Sequence, residues 1–194
     1  AEVSGRLASG LVSWWALDAT TDLGSEMITD SDNRDFSDGT INEWVIFSNG
    51  DGTLEYSTGP SGEKTGLLTV GATPGAYTHA KLPTSNITTF VQGKSYKFTA
   101  DVYLPSGNNN WTEVVMGINA MSGGSEISET VATLGTEDEW QQIDFIWSPG
   151  SDVTGDIVIV ARSTTAGDIV YFDNVSVKEV LVEDLQGSND GSLF

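Results

Sequence analysis

The 194-residue chain contains no cysteine. Disulfides, zinc–thiolate sites, iron–sulfur clusters and thiol nucleophiles are thereby excluded, although this alone does not decide the compartment. There is one histidine, His79, so a multi-histidine metal site is excluded as well. Any serine triad would have to recruit that one residue, and no Gly-x-Ser-x-Gly elbow is present. Basic residues are scarce, with 8 Lys+Arg against 28 Asp+Glu and a formal net charge of -20. Such a field repels phosphate backbones and anionic lipid, so neither nucleic acid nor a membrane surface is an expected partner. No apolar run approaches the ~20 residues of a membrane-spanning helix. The chain opens at Ala1 without a basic segment, and no secretory leader is expected there. What is present is enough for a core: 38% hydrophobic residues, including six Trp, seven Phe and five Tyr.

The dominant periodicity is two. Tyr96, Phe98, Ala100 and Val102 alternate with Lys97, Thr99, Asp101 and Tyr103. Val114, Met116 and Ile118 repeat the pattern, as do Ile143, Phe145 and Trp147, and Ile157, Ile159 and Ala161. Further strand-like stretches are Leu11–Leu17, Trp44–Phe47, Thr53–Ser57, Leu67–Val70, Tyr77–Leu82, Ser128–Leu134 and Ile169–Lys178. Turn formers such as Gly59-Pro60-Ser61-Gly62 and Ser148-Pro149-Gly150 stand between them. About nine or ten short strands without an amphipathic helix predict an all-β, antiparallel β-sandwich of the jelly-roll kind. The stretch Gly59–Thr65 looks like a phosphate loop but carries Glu63 where Gly must precede the lysine, and a strand-like segment follows.

The order of several motifs is more specific. Glu26-Met27-Ile28-Thr29 precedes Asp35-Phe36-Ser37-Asp38-Gly39 and Trp44; Gly93–Val102, Glu139-Trp140 and Phe145 follow, and Tyr171-Phe172-Asp173-Asn174-Val175-Ser176-Val177-Lys178 closes the set. Together they resemble carbohydrate-binding modules of the family 4/9/16/22 type, over residues 24–180. An insertion, Asp30–Arg34, departs from that pattern and has the flavour of a calcium loop, or of a solvated turn. The flanks, 1–23 and 181–194, resemble something else. Gly10–Asp18 is similar to the first strand of a laminin-G/concanavalin-like domain, and Asp184–Leu193 to a segment that follows it. Either the jelly roll is inserted in a loop of such a domain, or the ends are edge strands and tails.

The resemblance implies a structural Ca²⁺ held by Asp35, Ser37, backbone carbonyls around Glu63-Lys64, and Asp173. The residues offer one independent pointer. Asp173 is an acid inside an apolar strand and needs either a cation or backbone N–H donors at a β-bulge. The resemblance also implies sugar recognition on a concave sheet, where rings stack on C–H faces and amides or carboxylates read hydroxyls. On the non-core strand faces and adjoining loops the candidates are Tyr77, His79, Asp101, Tyr103, Trp111 and Asn119. Trp14, Trp15, Trp44, Trp140 and Trp147 read instead as core or hairpin packing.

The expectation is a non-catalytic, acidic module that binds a polysaccharide or oligosaccharide, outside the cell or on a virion or cell surface, as part of a larger multidomain chain. The alternative is a structural or adhesion domain of a phage virion or bacterial surface protein. A polysaccharide lyase or glycoside hydrolase is the third reading, resting only on carboxylate pairs that 28 acids would supply by chance.

Overall fold

The computed structural model describes residues 22–48, 52–73, 78–108, 110–119, 126–131 and 136–181. Among these the chain forms β1 (Asp22–Glu26), α1 (Asp32–Asp35), β2 (Val45–Ser48), β3 (Thr53–Thr58), β4 (Lys64–Thr69) and β5 (Thr78–Leu82). A 3-10 turn at Thr84–Asn86 leads to β6 (Ser95–Tyr103), β7 (Trp111–Asn119) and β8 (Glu126–Val131). The last three strands are β9 (Trp140–Trp147), β10 (Asp156–Ser163) and β11 (Ile169–Leu181). One sheet has the order β3-β4-β11-β6-β9 with β1 paired to β11, and the other has the order β2-β5-β10-β7-β8. Every pairing is antiparallel. Chain-order neighbours β4 and β5, β5 and β6, β6 and β7, β8 and β9, β9 and β10, and β10 and β11 fall in opposite sheets, which is the crossing pattern of a jelly roll.

The period-two pattern sets the orientation of the central strands. On β6 the side chains of Tyr96, Phe98, Ala100 and Val102 are buried between the sheets, and Phe98 stacks on Phe145 of β9 at 4.6 Å. On β11 the inward residues are Val170, Phe172, Val175 and Val177. Val175 stays inward only because the β11–β6 register shifts between Asp173 and Ser176, with Asn174 at a φ of 51°. That extra residue is a β-bulge, and an asparagine tolerates its left-handed backbone.

One end of the sandwich is closed by the segment after β1. Phe36 and Trp44 meet the Phe172 ring at 5.3 and 5.2 Å, and Trp44 Nε1 donates to the Asn33 carbonyl at 2.8 Å. Asp30–Arg34 is therefore no simple solvated turn: it enters α1 and buries Asn33 completely. Gly66 admits the same phenylalanine, since a Cβ there would lie 2.4 Å from the Phe172 ring.

Opposite register partners Asp22 and Leu181 set β1 beside the end of β11. Glu26 fastens the pair. Its Oε1 accepts the N–H groups of Met27, Ile28 and Val177 at 3.0, 3.2 and 2.8 Å, while Oε2 accepts Ser176 Oγ at 2.6 Å. The sequence pattern did not anticipate β1, and β4 begins at Lys64 rather than at Leu67. The stretches Leu11–Leu17 and Asp184–Leu193, and with them the laminin-G-like flanks, lie outside the described residues.

Candidate functional site

Cross-strand register maps the outer face of the five-stranded sheet. Phe47 of β2 lies opposite His79 of β5, His79 opposite Val160 of β10, and Val160 opposite Val115 of β7. The adjacent row runs through Val45, Lys81, Val158 and Gly117. Asp156 and Asn119 face each other beyond that row, while Arg162 and Glu113 do so on the other side of the first. Among the described residues Phe47 is the exposed ring of this face, at 54% exposure, and it sits 5.8 Å from the imidazole of His79. Lys81 Nζ lies 6.0 Å from the centre of the Phe47 ring and 2.6 Å from Asp156. Arg162 pairs with Glu113 at 3.1 Å. Burial, and then the positive Arg162 and Lys81, push His79 down to about 4, so its imidazole is neutral at pH 7. Val115, Val158 and Val160 form a small apolar cluster of their own, covered although the opposing sheet lies on the other side.

The chemistry of this face is a ring at its β2 edge beside His79 and the Lys81–Asp156 pair, with the Arg162–Glu113 pair and the Asn119 amide further across the sheet on β10 and β7. Asn119 Oδ1 is buried without a hydrogen-bond partner. Sequence reasoning placed His79 and Asn119 here but missed Phe47, Lys81, Asp156, Glu113 and Arg162. Phe47 stood in the sequence only as the end of the strand-like stretch Trp44–Phe47, and its register with His79 shows which way it faces.

The remaining sugar candidates go elsewhere. Asp101 and Tyr103 stand on the outer face of the other sheet, so they do not share a surface with His79 and Asn119. Trp111 is 7% exposed and belongs to the core. The β7–β10 register shifts at Arg162/Ser163, which reverses the alternation and turns the indole inward, leaving no open ring face for a sugar there. Tyr77 lies outside the described residues.

The calcium candidates converge on the bulge of β11. Asp173 is 9% exposed, and its Oδ1 has no hydrogen-bond partner. Burial foremost, with the Asp101, Asp35 and Glu63 carboxylates adding to it, pushes Asp173 up to about 7 against the opposing bond from the Asn174 N–H. Glu63 Oε2 is a second buried oxygen without a partner. Asp35 accepts the Ser37 N–H at 3.0 Å, and Lys64 Nζ donates to the Ser37 carbonyl. Among the described residues no three His, Cys, Asp or Glu side chains come together as a metal set. A hard cation here would thus draw on backbone carbonyls beside carboxylates, a donor type it accepts. The bulge and the oxygen without a partner are both present at Asp173.

Known proteins bear on the same fold. The arabinose-bound MgGH51 α-L-arabinofuranosidase superposes with a TM-score of 0.64 at 15% identity, over 84% of this chain and 27% of that one. The CBM22-2 xylan-binding domain of Paenibacillus barcinonensis Xyn10C gives 0.56 at 12% identity, over 75% of this chain and 96% of that one. Tailspike protein 4 of bacteriophage CBA120 gives 0.55 at 14% identity, over 79% and 22%. This chain thus spans about a quarter of the arabinofuranosidase and nearly all of the xylan-binding domain. A search of curated proteins finds no match. Among the described residues no helix is long and apolar enough to cross a membrane. With a two-sheet jelly roll in place and the model of the carbohydrate binding domain CBM_4_9 matching residues 32–166, the chain belongs to that family of carbohydrate binding domains.

Proposed function

We propose that the protein is a non-catalytic module that binds a polysaccharide chain at the open β2 edge of the outer face of the five-stranded sheet, where Phe47 and Val45 are exposed. The observation that carries the reading is Phe47, an aromatic ring more than half exposed on that face beside the His79 imidazole and the Lys81–Asp156 ion pair. A ring of this kind stacks on the C–H face of a pyranose, while the polar groups around it read hydroxyls. Lys81 and Arg162 are each engaged by an acid, which suits a neutral glycan better than an anionic one. Structural calcium held by Asp35, Ser37, the Lys64 carbonyl and Asp173 belongs to the same reading, and the orphaned Asp173 oxygen supports it. The ion would neutralise the carboxylates gathered at the bulge. An extracellular, virion-surface or cell-surface setting within a larger multidomain chain fits this role.

Affinity electrophoresis against β-glucans, xylans, mannans and alginate tests the proposal. Retardation is expected on at least one neutral polysaccharide, and Phe47→Ala should weaken it about tenfold, the order of one lost ring contact. The second reading is a structural or adhesion domain of a phage virion or bacterial surface protein. The burial of Val115, Val158 and Val160 on this same face favours it, because a covered face leaves less room for a sugar chain. Absence of retardation on every polysaccharide would leave that reading standing, whereas release of reducing or unsaturated ends would restore the catalytic one.

A further inference from the structure

The outer face of the six-stranded sheet is mostly an ordinary solvated surface of Lys97, Thr99, Asp144, Ser176 and Lys178. One end of it is different. Trp140, Tyr103 and Tyr171 stand directly opposite one another on β9, β6 and β11, giving a row of three rings across adjacent strands. Ring centroids are 5.6 Å apart for Tyr103–Trp140 and 6.1 Å for Tyr103–Tyr171. Two residues further along the strands, Gln142, Asp101 and Asp173 form the next row in the same register. Asp101 is the hub of that row: it accepts Asn174 Nδ2 at 2.9 Å and Gln142 Nε2 at 3.4 Å.

The two rows lie about 7 Å apart, from the rise of two strand residues. The outer rings are partly exposed, and the amides of Gln142 and Asn174 are exposed. Tyr103, the central ring, is nearly covered and braces its neighbours, with its hydroxyl donating to Asp138 at 3.2 Å. The Trp140 indole is fixed by its N–H bond to Glu63 at 2.8 Å, which reaches across the row of rings from the segment before β4. Rings locked in place beside planar amides and a carboxylate are the components of a sugar-reading surface, already ordered before a ligand arrives.

We propose that this end of the six-stranded sheet is a second glycan-binding surface, on the side of the sandwich opposite to Phe47. Its ligand class is a neutral oligosaccharide lying across β9, β6 and β11, with sugar faces on Trp140 and Tyr171 and hydroxyls on Gln142, Asp101 and Asn174. The inference rests on the reading that the chain binds glycans, and adds a separate place where it does so. Two faces on opposite sides would let one module bridge two polysaccharide chains.

The test is heteronuclear NMR of the whole chain with xylo-oligosaccharides and a mixed-linked β-gluco-oligosaccharide. Signals of the Trp140 indole and of the Gln142 and Asn174 amides are expected to shift on titration, and to go on shifting in Phe47→Ala. The exposed substitution Gln142→Ala should weaken that response about tenfold while signals near Phe47 still respond. Tyr171→Ala, checked for folding by its dispersed spectrum, should do the same. Shifts confined to the Phe47 face would overturn the second surface and leave the first intact. Shifts confined to Trp140, Gln142 and Asn174 would uphold it and remove the first. No shift anywhere, with any of these sugars, would remove both.

Discussion

Replacing Asp173 by asparagine should stabilise the calcium-free protein and destabilise the calcium-loaded one. The Asp173 carboxyl is raised from 3.8 to about 7 by burial and by the nearby Asp101, Asp35 and Glu63 carboxylates. A shift of roughly three pH units corresponds to about 4 kcal/mol of preference for the protonated form in the native state. For an acid with a raised native value, that stability is fully present below the unfolded value and is lost as pH rises through about 7. In chelator the wild type should therefore fall behind Asp173→Asn between pH 4 and 8, by up to about 4 kcal/mol at the upper end. At the size of this domain that is a difference of roughly 10 °C in melting temperature. The comparison is made as the difference between the two proteins at each pH, so that other titrating groups cancel. Added Ca²⁺ should reverse the order, because a cation favours the ionised carboxylate and the amide supplies no charge. The assay is calorimetric melting at several pH values in EGTA and in millimolar Ca²⁺. Two proteins whose melts run parallel from pH 4 to 8, with no response to chelator in the wild type, would refute both the burial argument and the cation site.

Gly66→Ala should cost about 1–3 kcal/mol in urea denaturation, because its Cβ would press into the Phe172 ring that Phe36 and Trp44 hold in place. An unchanged midpoint would show that the ring can retreat. His79 is depressed from 6.5 to about 4, so its contribution is present above 6.5 and is lost as pH falls through about 4. Acid titration of stability should accordingly show a loss approaching 3 kcal/mol over that range, which His79→Gln removes. An equal acid limb in both proteins would place the titration elsewhere.

The sandwich was legible because alternation is a local signal of a half-buried strand. It is cleanest on β6, where Tyr96, Phe98, Ala100 and Val102 face inward and Lys97, Thr99 and Asp101 do not. It fails at β1, whose sequence DLGSE has no apolar face and is held to β11 through Glu26. Residues Asp32–Asp35 are too few to show a helical period, so α1 could not be read either. The site was legible by residue type and not by place. Period two states which residues of one strand share a face, but not which sheet the strand joins. His79 and Asn119 therefore parted from Asp101 and Tyr103 once β5 and β7 proved to lie in one sheet and β6 in the other. Trp111 shows the complementary failure, where one extra residue on its own strand, Thr112 at the shift in the β7–β10 register, inverts a face that local spacing assigns. Asp173 was found because an acid breaking an apolar run is visible in the sequence itself.

The pairing of Asp22 with Leu181 has a mechanical corollary. Chain entering and leaving through two adjacent antiparallel strands, at the same end of both, would transmit tension as a zipper and not as a shear. A pull applied at these two residues loads the β1–β11 hydrogen bonds one after another, and the first strong obstacle it meets is the Glu26 carboxylate, whose bonds from Ser176 Oγ and the Val177 N–H cross the seam. The module would then give way at its seam under modest load while the ring-bearing strands β2, β6 and β9 stay folded.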